Sequence, residues 1–136
     1  MKDVDQGEFL FDNTLDTNFL QELFQGDFVY AETVFNEFLK DLPAYWEEVA
    51  AARQGTDVKE LGKTVHKCKT LFGYVGLTKT LELFQQFETS CAKAGAVIPV
   101  SAYEALQEEK DNAHRIITKE LGRLQSYNAT REQGLL

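Results

Sequence analysis

Val58-Lys59-Glu60-Leu61-Gly62-Lys63-Thr64-Val65-His66-Lys67-Cys68-Lys69-Thr70-Leu71-Phe72-Gly73-Tyr74-Val75-Gly76 is the stretch on which the reading of the chain turns. At about 100° per residue, Val58, Leu61, Val65, Cys68 and Phe72 fall within one arc, the stripe of an amphipathic helix that faces a core. Lys59, Lys63, Lys67 and Thr70 fall on the opposite, solvated side, and His66 stands on the shoulder between the two. Lys69 follows His66 by three residues, a spacing that puts Cβ atoms roughly 5–6 Å apart on one face. Its ammonium is therefore expected to reach an anion held on the imidazole. Gly62 and Gly73 flank the histidine although glycine in a helix costs about 1 kcal/mol relative to alanine. With Thr70, and with Gly76 at the following break, they are expected to keep His66 open to an approaching partner.

Working outward, three- and four-residue apolar spacing recurs along nearly the whole chain. Asp16 or Thr17 is placed to cap a short helix through Leu20 and Leu23 that Gly26 ends. Asp27 reads as the next cap, opening a long helix to about Arg53 with a bend at Pro43. Thr56 or Asp57 caps the histidine helix. Leu77, Leu81, Phe84, Phe87 and Cys91 mark a further helix, and Ser101 with Glu104 fits a capping box for the last one. Short connections favour antiparallel neighbours. The expected fold is all-α, an up-down antiparallel four-helix bundle with an additional short N-terminal helix. Residues 1–14 are expected to form an arm or short helix, 15–126 the bundle and 127–136 a frayed tail. The ten phenylalanines fall mostly on helical stripes and read as core.

Composition narrows the function. The 136 residues suit one domain, and 43% hydrophobic with 26% charged residues suits a folded one. A net charge of −8 argues against nucleic acid or an anionic membrane surface as partner. No apolar run approaches a membrane span and the N-terminus lacks a secretory pattern, so a cytoplasmic location is expected. Cys68 and Cys91 then read as buried free thiols. Against the acidic whole, residues 57–73 carry four lysines and two acids. Lys59, Lys63 and Lys67 read either as a basic patch around His66 or as an ordinary solvated face. His66 and Cys68 project about 160° apart on the wheel and cannot share a metal ion, so no metal site is expected. His114 has Ile117 three residues on and reads as structural or merely exposed, while Asp111 and Glu120 read as polar face.

The chain resembles a histidine-containing phosphotransfer (HPt) domain of two-component phosphorelays. The family pattern is a histidine, lysine at +3, glycine at +4, small residues next and glycine at +10; His66, Lys69 and Gly76 match. Leu15-Asp16, Leu20, Leu23, Gly26-Asp27 and Phe38-Leu39-Lys40-Asp41-Leu42-Pro43 resemble the family's leading helices, and Leu77 through Glu88 the helix after the motif. The resemblance covers about residues 15–125. Thr70 stands where the family has its +4 glycine, and Leu71 and Phe72 stand at the small +5 and +6 positions. The Thr70 methyl could crowd a partner, or its hydroxyl could bind a phosphoryl oxygen.

What the resemblance implies is a phosphorelay intermediate. His66 would accept a phosphoryl group from a receiver-domain aspartate and pass it to another receiver, with Lys69 neutralising phosphoryl charge. The implied partners are response-regulator receiver domains and a hybrid histidine kinase. No cofactor is expected on this chain; Mg²⁺ would belong to the receiver. Such a domain is a phosphocarrier rather than a stand-alone enzyme, and a free-standing monomer is expected. The alternative is a non-catalytic helical adaptor that binds a receiver or another signalling protein without being phosphorylated. A dimerising histidine kinase core fits less well, since the chain has no glycine-rich ATP-binding motif.

Overall fold

The computed structural model describes residues 8–134. Its element order is α1 (Thr17–Phe24), α2 (Phe28–Gln54), α3 (Val58–Tyr74), α4 (Thr78–Ala92) and α5 (Val100–Gly134), with no strand among the described residues. Three aspartates start helices by accepting otherwise unpaired backbone N–H groups. Asp16 accepts from Phe19, Asp27 from Tyr30, and Asp57 from both Lys59 and Glu60. The last helix starts differently. It begins at Val100, so Ser101 lies inside it, and the carbonyl of Pro99 takes the Ala102 and Tyr103 N–H groups in place of the expected capping box.

α3 packs on α2 and α4, and α5 packs on both α2 and α4, closing a four-helix bundle in which α1 rests against α2. Pro43 lies inside a continuous α2. Phe72 carries the middle of the core. It is fully buried, 4.6 Å from the Phe84 ring of α4 and 5.7 Å from the Phe38 ring of α2. Aromatic pairs at such centroid separations add roughly 0.5–1.5 kcal/mol to the burial itself. The stripe of α3 is the expected one, with Leu61, Val65, Cys68 and Phe72 buried and Val58 packed partly against them. Its opposite side therefore faces solvent, with the exposed His66 on the shoulder beside α4.

Both ends of the described chain pack against the bundle. Residues 1–7 and 135–136 lie outside the described residues, but from Phe9 the arm runs non-helically into the core, burying Phe9, Phe11 and Leu15. Glu120 anchors it. Expected on a polar face, Glu120 is only 1% exposed, and its Oε2 accepts the Asp12 N–H at 2.8 Å while Arg123 pairs with Oε1. Arg123 also donates to the Leu10 carbonyl and covers the Phe9 ring. A buried carboxylate is tolerated because each oxygen has a partner. The tail expected to fray from 127 instead continues α5 to Gly134. Tyr127 stacks edge-on against Phe9 and Phe28, and Asn128 donates to the Phe28 carbonyl and Glu32.

At the α3–α4 turn Gly76 has φ +75°, a left-handed conformation that costs other residues roughly 1–2 kcal/mol. It also lies under α1: an added Cβ would stand 2.9 Å from Leu20 Cδ1, and the Gly76 carbonyl accepts the Asp16 N–H at 2.8 Å. Gly26 has φ +84° with nothing near it. Urea denaturation should accordingly show Gly76→Ala losing about 2–4 kcal/mol, strain plus overpacking, and Gly26→Ala losing only about 1 kcal/mol. Equal losses would mean that the contact with Leu20 carries no weight.

Candidate functional site

α3 and α4 run antiparallel, and their contacts follow in opposite order along the two helices. Gly62 faces Cys91, His66 faces Glu88, Lys69 faces Gln85 and Gly73 faces Leu81. The helices approach closely at Gly62, where an added Cβ would lie 2.9 Å from the Cys91 Cβ. Gly62 is buried. It lets α4 approach α3, and it also lines the groove beside His66. Gly76 likewise serves the turn and its contact with Leu20. Gly73 is half-buried against Leu81, at an ordinary contact distance of 3.9 Å for an added Cβ.

One turn beyond Gly62, the His66 side chain is 60% exposed and its Nδ1 lies 2.8 Å from Glu88 Oε2. A carboxylate can only accept, so Nδ1 carries the proton and donates. Nε2 is then the nitrogen with the free lone pair. Lys69 departs from its expected place. Side chains on a helix lean toward its N-terminus, and Lys69, only 14% exposed, meets Glu88 Oε1 at 2.7 Å. That contact is a charge pair rather than an aligned hydrogen bond; the Lys69 ammonium directs its hydrogen bond to Gln85 Oε1. Lys69 thus reaches the imidazole only through Glu88.

Burial works to raise the Glu88 pKa, but the close Lys69 ammonium and the His66 hydrogen bond outweigh it and hold the carboxyl below its ordinary range. The remaining expected residues separate clearly. Lys67 pairs with Glu48 at 2.9 Å and lies over the Tyr45 ring, facing α2. The Thr70 hydroxyl donates to the Lys67 carbonyl at 2.8 Å, so its own helix already engages it. Lys59 and Lys63 are exposed and border a groove beside His66. Cys68 is fully buried and desolvation pushes its thiol up to about 12, which leaves it protonated and inert.

Sequence reasoning missed Glu88 and Gln85. A signal for Glu88 was present: Leu81, Phe84, Glu88 and Cys91 step by three and four, so the acid occupies a place where the stripe calls for an apolar residue. Among the described residues, no group of three or more His, Cys, Asp or Glu could hold a metal ion, and no helix is long and apolar enough to cross a membrane.

The site is thus an exposed imidazole on a bundle helix, held through Nδ1 by a carboxylate of the neighbouring helix. The family model for the Hpt domain matches residues 33–125, more than half of the chain, and the chain belongs to that family. Hpt domains act as phosphocarriers in two-component signalling, working with receiver domains and histidine kinases. No curated protein and no solved structure matches the chain.

The lowered Glu88 pKa has a sign that can be measured. In the folded state the carboxylate is held charged, so its contribution to stability is complete above its ordinary pKa of about 4.5 and is lost as pH falls through the lowered value. The stability difference between wild type and Glu88→Gln should stay level above about pH 5 and shrink below about pH 4. Denaturation at a series of pH values checks it; a difference that grows on acidification would contradict the assigned ion pair.

Proposed function

We propose that this protein is a phosphorelay intermediate that takes a phosphoryl group onto His66 Nε2 from a receiver-domain aspartate and returns it to another receiver. The observation that carries the reading is the Nδ1–Glu88 hydrogen bond on an exposed ring, which in the neutral imidazole puts the proton on Nδ1 and the lone pair on Nε2. The lone pair of Nε2 attacks phosphorus of the aspartyl phosphate. The bond between phosphorus and the aspartate oxygen breaks, and its electron pair stays on that carboxylate. The proton remains on Nδ1, so the ring gains a positive charge beside a doubly negative phosphoryl group.

Glu88 is suited to that change. Its carboxylate already lies 2.8 Å from Nδ1 and stabilises the cationic ring as it forms, without reorganisation. Lys69 and Gln85 hold the carboxylate in place from the side away from the ring. Phosphoryl transfer through a loose transition state asks mainly for alignment and charge, which fixed groups on two packed helices supply. Mg²⁺ would be brought by the receiver. The chain by itself completes half of the reaction, as a carrier does.

Incubation with a panel of labelled phospho-receivers should place acid-labile, base-stable label on wild type and none on His66→Gln. Glu88→Ala should slow loading about 10- to 100-fold, the rate equivalent of a hydrogen bond to a charged group worth roughly 1.5–3 kcal/mol. Receiver binding without label on the wild type would instead establish a non-catalytic adaptor.

A further inference from the structure

Four lysines lie around His66, and the structure separates them by what each ammonium already meets. Lys67 is held by Glu48 and Tyr45 on the α2 side. Lys69 is largely buried between Glu88 and Gln85. Lys59 and Lys63 are exposed, and their ammonium groups have no hydrogen bond or ion pair among the described residues. These two, with Gly62, His66, Glu88, Cys91 and Ala92, line a groove of about 350 Å³ between α3 and α4.

What each ammonium already meets then decides which cation a phosphoryl group finds. His66, Gly62, Lys59 and Lys63 line one groove, so these two lysines border the same space as the ring. The Lys69 ammonium is occupied on the Nδ1 side of the ring by the carboxylate that sets the tautomer. Withdrawing it would leave Glu88 without its cation. Lys63 stands three residues before His66 on the same face and Lys59 one turn further, both free to move.

Resting on the reading of His66 as acceptor, we propose that Lys63, supported by Lys59, supplies the positive charge that neutralises the phosphoryl group on Nε2. Lys69 is then a positioning residue that acts through Glu88. The groove floor of Gly62, Cys91 and Ala92 brings no other charge, so the two ammonium groups meet the phosphoryl oxygens without competition except from Glu88, which is itself bonded to Nδ1 and Lys69.

The test uses phosphoramidate, a small phosphoryl donor that needs no protein docking surface, alongside a phospho-receiver. Wild type, Lys63→Gln, Lys63→Arg and Lys69→Gln are compared by loading rate and by ³¹P NMR titration of the phosphohistidine. A neighbouring cation favours the dianionic phosphoryl, so Lys63→Gln should raise the pH at which the phosphoryl titrates and slow loading about three- to fivefold, the size expected of an exposed charge pair. Lys63→Arg should restore both. Lys69→Gln should slow loading while leaving the phosphoryl titration where it is. An unshifted titration in Lys63→Gln, or a shifted one in Lys69→Gln, overturns the assignment. If phosphoramidate loads His66 but no receiver exchanges the label, the relay reading fails, and the Lys63 contrast is still read from the small donor.

Discussion

The site depends on how closely α3 and α4 approach at Gly62. With no side chain there, the Cys91 Cβ lies 2.9 Å from where a Cβ of residue 62 would stand, closer than real Cβ contacts come, so the helices keep this approach only with glycine. One turn along, the register brings Glu88 to His66 at 2.8 Å, and a further turn brings Gln85 to Lys69. Overpacking a helix contact displaces backbone, and a hydrogen bond tolerates only a few tenths of an ångström before it weakens. A glycine that never touches the imidazole therefore governs the geometry of the group that orients it. The helix propensity lost at Gly62 is offset by a helix contact that a larger residue would forbid.

Electrostatics follow from the same packing. A carboxylate between two helices carries a desolvation cost unless its oxygens find partners. Glu88 has one cationic or donating partner for each oxygen, Lys69 on one and His66 on the other. The imidazole is the exposed member of this chain of contacts and Lys69 the buried one. Fixing the inner end on Gln85 makes the outer end, the ring, the only part left to respond to an approaching phosphoryl group. Glu120 shows the same solution used for architecture, with the Asp12 backbone N–H and Arg123 as partners and the arm pinned as a result.

What was legible in the sequence was local. Asp16, Asp27 and Asp57 cap helices because an aspartate oxygen needs only the N–H groups two or three residues on, and those lie within one turn. The stripe of α3 was legible for the same reason, since periodicity places Leu61, Val65, Cys68 and Phe72 on one face whatever they pack against. Ser101 misled because the Pro99 carbonyl, not a side chain, takes the first N–H groups of α5. The tail misled because its polar composition hides Tyr127 and Asn128, whose partners Phe9, Phe28 and Glu32 lie about a hundred residues away.

By itself the sequence determined the helices, their amphipathic faces, the family pattern and the exposure of His66, all of which follow from spacing along one helix. Only the tertiary structure decided which nitrogen is free, which lysine is occupied and what each glycine is for. Glu120 was read as polar face and Glu88 went unnoticed, although each falls in a three-and-four series of core positions, Leu81–Phe84–Glu88–Cys91 and Ala113–Ile117–Glu120–Leu124. The physical reason is the same for both. A carboxylate at such a place is acceptable only when partners from other parts of the chain meet it, and that depends on interhelical register, which no single helix encodes.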